Sequence, residues 1–223
     1  MGKSRIGQNK EETSMFEKII GNEVIKEMLK TGIQNKTISH SYLFVGIQGI
    51  GKKLLAQEFA KQILCLAEKQ NCNCKSCIEF ETNNHPDYML IEPDGNSIKI
   101  EQIRFLQKKI QEKPIIASKK VYIINDAEKM TTEAQNCLLK TLEEPPEFAT
   151  IILIGTQENL FLPTIKSRCM ILKFMAIEDE EIEQYLKNNY ELNFDHLPKN
   201  RLKLFQGSIG KAIALKDKQE QYD

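Results

Sequence analysis

Ser41-Tyr-Leu-Phe-Val45, running straight into Gly46-Ile-Gln-Gly49-Ile-Gly51-Lys52-Lys53, is the stretch from which the rest of the chain can be read. A short apolar run closed by glycine predicts a buried strand. From Lys52 to Leu66 the apolar residues Leu54, Leu55, Phe59, Ile63 and Leu64 recur at helical spacing. Strand, glycine-rich turn and a helix opening on lysine together form the context of a phosphate-binding loop (P-loop). In such a loop the glycines let successive backbone N–H groups curl around a phosphate. The helix N-terminus adds partial positive charge, and the lysine reaches the β- and γ-phosphates. Gly46, Gly49, Gly51 and Lys52 are the expected cradle; a plain glycine-rich strand-to-helix turn is the simpler alternative.

The residue after the lysine breaks the pattern. A hydroxyl is needed there to ligate Mg²⁺, and Lys53 brings an ammonium, which cannot ligate a cation. A second departure lies at the next strand that matters, Lys120-Val-Tyr-Ile-Ile124, which should end in one acid for Mg²⁺ and one for the attacking water. It ends Asn125-Asp126-Ala127-Glu128. In one register Asn125 replaces the metal carboxylate and Asp126 the usual glutamate. In the other, Asp126 is in place and Ala127 fills the catalytic position. Either register lacks a carboxylate. ATP or ADP is therefore expected to bind weakly or not at all, Mg²⁺ is not expected, and efficient hydrolysis is not expected either.

Working outward, a helical pattern covers Asn22 to Ile33, with Val24, Ile25, Met28, Leu29 and Ile33 on one face. Strands are predicted at Tyr88–Ile91, Lys120–Ile124, Thr150–Ile154 and Met170–Phe174, with helices at Ile100–Ile110 and Thr132–Leu142, the latter stopped by Pro145-Pro146. Alternation of strands and helices implies an α/β fold with a parallel sheet and helices on both faces. After Phe174 only helices are predicted, at Asp179–Asn188 and Arg201–Lys216 around Pro198. A boundary near 175 thus divides an α/β domain (15–175) from a small helical lid (176–223), and the polar stretch 1–14 reads as a flexible leader. Thirty-one basic residues balance thirty-one acidic ones, so net charge gives no hint of nucleic acid, and no stretch nears the length of a membrane span. The lysine pairs 108–109 and 119–120 read as solvated faces. His40, His85 and His196 are scattered, and His85 before Pro86 reads as fixing a turn.

Four of the six cysteines crowd together as Cys65, Cys72, Cys74 and Cys77. Without an export signal the compartment is expected to be reducing and the location cytoplasmic, so a metal site is favoured over disulfides. Four thiolates can hold Zn²⁺ tetrahedrally in a structural role, with no open position. Free or partly oxidised thiols in an exposed loop are the alternative.

Further segments now carry a resemblance. Ser39-His-Ser-Tyr-Leu-Phe44, His85-Pro-Asp87, Ile100-Glu-Gln-Ile-Arg104, Asn136-Cys-Leu-Leu-Lys-Thr-Leu-Glu-Glu-Pro-Pro146 and Leu162-Pro-Thr-Ile-Lys-Ser-Arg-Cys169 resemble the clamp-loader branch of the AAA+ proteins, over roughly residues 15 to 216. The departures at Lys53 and Asn125 look more like the delta-prime kind of subunit than the ATP-hydrolysing gamma/tau motor kind, which stands as the alternative. The resemblance implies a stator-like subunit of the DNA polymerase III clamp loader. Such a subunit works beside gamma/tau and delta subunits, and through them on the sliding clamp and primed DNA.

It also implies roles for particular residues. Arg168, in a short helical segment between the last two strands, becomes an arginine finger reaching a neighbour's ATP; on composition alone it is a surface arginine paired with an acid. Thr156 falls at a γ-phosphate sensor position and Lys211 near the lid sensor. A zinc module at Cys65, Cys72, Cys74 and Cys77 is implied too, although the single residue between Cys72 and Cys74 makes it tighter than the family's usual paired Cys-x-x-Cys. The helical collar domain that usually follows is not in the sequence, and without it the chain is expected to be mainly monomeric.

Overall fold

Leu43 and Val45 turn to one side of their strand and Phe44 to the other, and all three are buried. A strand dry on both faces must lie inside a layered α/β fold. The computed structural model, which describes residues 15–17, 19–67, 72–190 and 206–213, places it there. In chain order the first elements are α1 (Glu23–Gln34), β1 (Ser41–Val45), α2 (Lys52–Leu64), α3 (Lys75–Glu81), β2 (Tyr88–Ile91) and α4 (Ile100–Ile110). They are followed by β3 (Lys120–Ile124), α5 (Thr132–Glu143), β4 (Ala149–Gly155), α6 (Pro163–Lys166), β5 (Met170–Lys173) and α7 (Asp179–Tyr190). The leader 1–14, His196, Pro198 and most of the helix expected at 201–216 lie outside the described residues, which show helix only at 209–213 in that region.

The five strands form one sheet in the order β2-β3-β4-β1-β5. Every pairing is parallel, with Phe44 opposite Ile154 on one side and Leu172 on the other. All carboxyl ends therefore share one edge of the sheet, where open α/β folds bind ligands. Phe44, Ile123, Ile152, Ile154 and Leu172 pack with Leu29, Leu55 and Phe59 of α1 and α2. Their alternate neighbours Leu43, Tyr122, Ile124, Ile151 and Leu153 pack with Ile103, Leu106, Leu138 and Ile165 of α4, α5 and α6. A smaller cluster, Ile177, Ile182, Leu186 and Ala212, lies beyond β5.

Several expectations are corrected here. Val24, Met28 and Leu54 are exposed, because the buried stripe of α1 centres on Ile25 and Leu29 and that of α2 on Leu55, Ala56 and Phe59. Helix α3, within the cysteine-rich stretch, was not expected. Lys120 is no solvated residue: it is buried, and its ammonium donates to the carbonyls of Lys109 (2.8 Å) and Glu112 (3.0 Å) at the end of α4. Burial lowers its pKa. The lysine thus supplies a donor to carbonyls where α4 runs out, that of Lys109 also accepting the Glu112 N–H. Among the described residues no helix is long and apolar enough to cross a membrane.

His85-Pro-Asp87 ties the edge strand to its surroundings. Asp87 is buried and its carboxylate accepts the N–H groups of Ile115 (2.7 Å), Ile116 (2.7 Å) and Ala117 (2.9 Å). His85 Nδ1 accepts the Asp87 N–H at 3.0 Å. Ser76 Oγ donates to the Leu64 carbonyl at 2.6 Å, so it accepts from His85 Nε2–H at 2.8 Å. The imidazole is thus neutral, with no acceptor placed for a second proton. Burial lowers its pKa, against the opposing charges of Asp87 and Glu79.

Asp87→Ala strands three N–H groups and should cost about 2–4 kcal/mol in urea unfolding. For His85 the folded pKa lies below the ordinary value of 6.5. Its contribution is therefore full above that pH and declines as pH falls below it, where the unfolded chain takes up the proton first. Stability compared at about pH 7.5 and about pH 5.5 should fall less in His85→Gln than in the parent protein.

Candidate functional site

The Gly-rich turn leaves β1 at Val45 and enters α2 at Lys52, at the carboxyl edge of the sheet. A cavity of about 350 Å³ opens there, lined by Gly49, Gly51, Lys52, Lys53, Asn125, Asp126 and Thr156 among others. The structure thus brings together the P-loop residues, the end of β3 at Asn125 and Asp126, and Thr156. Gly46, at the turn's entrance, has no room for a side chain, since a Cβ would stand 2.7 Å from both Ile50 Cδ1 and the Phe174 carbonyl. Lys52 is only 7% exposed. Its ammonium donates to the loop's own carbonyls, Gly46 at 2.6 Å and Ile47 at 2.7 Å. Burial pushes its pKa down, while Glu128 and then Asp126 hold it up. A phosphate bound here would have to displace those two carbonyls from the lysine.

Lys53 has a partner that sequence reasoning missed. Its ammonium pairs with Glu92 Oε1 at 2.8 Å, and the same oxygen accepts from Asn125 Nδ2 at 3.3 Å. Glu92 follows β2 directly, and because all strands are parallel its carboxylate reaches the same edge as the P-loop. Asn125 and Asp126 both line the cavity, whereas Ala127 is fully buried in the core. Of the two registers, only the one with Asn125 at the metal-carboxylate position puts both residues on the cavity. Asp126 is itself paired with Lys129 at 3.0 Å.

Thr156 is held by another residue missed from sequence. Glu128 Oε1 accepts its N–H at 3.1 Å and its hydroxyl at 2.7 Å. The second Glu128 oxygen is buried with no hydrogen-bond partner among the described residues. Nothing in the local pattern singles out Glu128, whereas a strand-end acid such as Glu92 could have been sought once a parallel sheet was expected.

The segment 206–213 docks on the P-loop through backbone. The Gly210 N–H donates to the Gly49 carbonyl at 2.9 Å, and buried Ser208 lies where a Cβ on Gly49 would stand 2.3 Å from its Oγ. With φ at +81°, Gly49 is fixed as glycine by conformation and by space. Lys211 is not on the cavity wall; its ammonium donates to Gln206 at 2.8 Å.

Arg168 stands apart from this cavity, in the turn just after α6 rather than within a helix. Its guanidinium pairs with Glu143 at 2.6 Å and donates to the Thr164 carbonyl at 2.8 Å. Cys169 beside it packs against the core, where burial pushes its thiol up to about 12.

The four cysteines converge, with all Sγ atoms within 4.8 Å of one another. Thiolates around a tetrahedral zinc, at about 2.3 Å from it, stand roughly 3.8 Å apart, and Cys74 and Cys77 already stand at 3.6 Å. The donor set therefore fits a metal. Burial raises the Cys74 thiol, but hydrogen bonds from the Cys77 and Leu66 backbones and with the Cys77 and Cys72 side chains together bring it down to about 6. Burial drives Cys77 upward. Ser76, between two of these cysteines, anchors the module to Leu64 and His85.

The family model described as "DNA polymerase III, delta subunit" matches residues 21–178. The chain is 42% identical over 167 residues to the delta-prime subunit of DNA polymerase III of Bacillus subtilis, across 72% of this chain and 51% of that protein. It is 34% identical over 210 residues to the tau/gamma subunit of Haemophilus influenzae, across 91% of this chain and 30% of that protein. The chain thus spans about half, or less, of the length of these relatives. A DNA polymerase III gamma subunit-related protein of Thermotoga maritima superposes with a TM-score of 0.56 at 24% identity, covering 83% of this chain and 56% of that one. A mutant RuvB of the same organism gives 0.59 at 16% identity, covering 92% and 64%. These two likenesses concern the fold, that of the P-loop AAA+ proteins.

Protein purified under reducing conditions without chelator should carry about one zinc per chain by elemental analysis. Cys74→Ser should lose most of it and lower the melting temperature, because metal binding and folding are coupled.

Proposed function

Because the chain belongs to the delta-prime family of the bacterial DNA polymerase III clamp loader, we propose that it is a non-catalytic, stator-like component of that loader. It helps place the sliding clamp on primed DNA beside gamma/tau and delta subunits, in the cytoplasm, and supplies Arg168 to a neighbour's ATP. Supporting this reading most directly is the Lys53–Glu92 ion pair, 2.8 Å long, at the position where a P-loop needs a metal-ligating hydroxyl. Asn125 bonded to the same carboxylate removes the second metal ligand. A site whose charges are satisfied from within has little to offer Mg²⁺, and the phosphate transfer that Mg²⁺ assists is impaired with it.

Gly46, Gly49, Gly51 and Lys52 keep the shape of a phosphate cradle, so ATP or ADP binding stays weak rather than forbidden. Cys65, Cys72, Cys74 and Cys77 hold a structural zinc, whose four protein ligands leave no place for substrate. Of the expected lid, the described segment 206–213 docks on the P-loop through Gly210 on Gly49. Thr156, held by Glu128, sits where a γ-phosphate would be sensed, while Lys211 faces Gln206. Arg168 is presented outside the chain's own cavity, as a residue acting on another subunit must be.

A gamma/tau-type motor is the competing reading, favoured by the longer alignment to a relative of that kind, 210 residues against 167. It needs a hydroxyl at 53 and a carboxylate at 125, and the chain has neither.

The isolated chain should hydrolyse ATP negligibly. In a loader reconstituted from the full-length protein, Arg168→Ala should leave assembly intact and slow DNA-stimulated hydrolysis at the adjacent motor site by a large part of ~10³–10⁵. Ordinary turnover by the isolated chain, or an unchanged rate in the Arg168 variant, would reinstate the motor reading.

A further inference from the structure

We infer, on the reading of Arg168 as a finger in trans, that Glu143 is its positioning residue: it fixes the guanidinium in a ready orientation before a neighbouring nucleotide arrives. Helix α5 ends at Glu143, because Pro145 and Pro146 cannot continue it. That stop sets the carboxylate beside the turn that follows α6. Glu143 Oε1 accepts from Arg168 Nη2 at 2.6 Å. Nη1 is held separately, by the Thr164 carbonyl at 2.8 Å and Ser167 Oγ at 3.3 Å. Both ends of the fork are thus tied, one to α5 and one to its own turn.

A guanidinium has five N–H donors, and these three bonds occupy three. Nε–H and the second Nη2 hydrogen make no such contact among the described residues, and an incoming phosphate oxygen can take them while Glu143 keeps its hold. The pair is also suited to yield. The Arg168 side chain is 32% exposed and that of Glu143 48%. A surface pair of this kind is weak and screened by salt, enough to select one rotamer of a long side chain. An arginine–phosphate contact is charge-assisted and fork-shaped, and so stronger. Glu143 therefore orients the finger without withholding it.

The test uses full-length protein in a reconstituted loader in which only the adjacent motor site can hydrolyse ATP. Glu143→Ala should lower kcat there by up to roughly 10²-fold with KM for ATP unchanged, the scale of a misplaced catalytic group and short of ~10³–10⁵ for loss of the finger. Glu143→Gln, whose amide oxygen still accepts the Nη2 hydrogen, should recover most of the rate. In an Arg168→Ala background, Glu143→Ala should have no further effect, which a merely structural role would not produce. Thermal melts should coincide for all variants within a few degrees, as expected of an exposed pair. An unchanged rate in Glu143→Ala alongside a large loss in Arg168→Ala overturns the positioning role and leaves the finger standing. Additive losses in the double variant also overturn it, because Glu143 would then act independently of Arg168. A rate unaffected by Arg168→Ala removes both readings.

Discussion

The constraint on which the site depends is the burial of β1. Its two faces are covered by helices and its two edges by parallel neighbours, β4 and β5. No backbone donor or acceptor of such a strand can be left to water, so its register against Ile154 and Leu172 is fixed along its whole length. The turn at Gly46 therefore begins at a defined height above the sheet. Asn125 after β3, Thr156 after β4 and Glu92 after β2 are set at the same edge by the same hydrogen bonding. A cavity with defined walls follows from the sheet before any side chain in it is chosen.

What those side chains do is satisfy one another. Lys52 turns to carbonyls of its own loop, Lys53 to Glu92, Asp126 to Lys129 and Thr156 to Glu128. A site built for phosphoryl transfer keeps charges in reserve for its ligand. Here the reserve is taken up internally, apart from one buried oxygen of Glu128. The arginine beyond the cavity is likewise held, but with two of its donors in hand.

Much of the fold was legible because the strands are short apolar runs and the helices are long enough to show a 3.6-residue period. Helix α3 was not, since seven residues, three of them charged, carry no readable stripe. Val24, Met28 and Leu54 were misplaced because a stripe's centre, not merely its members, decides burial. Lys120 was misread because a lysine stem can cross an apolar layer and deliver its ammonium to carbonyls. In the site, the P-loop and its departures were local and therefore readable. The partners were not: Glu92 is 39 residues from Lys53 and Glu143 is 25 from Arg168, distances that only the tertiary fold closes. The bland sequence reading of Arg168, an arginine paired with an acid, describes its contact correctly and is compatible with a role beyond it.

The Lys53–Glu92 contact has an evolutionary corollary. Changing the lysine alone to threonine leaves the Glu92 carboxylate without its cation, facing a loop meant for polyphosphate, and like charge there works against the ligand. Changing Glu92 alone strands Lys53 instead. The threonine would restore a hydroxyl but leave Asn125 in the place of a carboxylate. The pair thus couples positions 53 and 92: a change at either one alone removes the other's ion-pair partner.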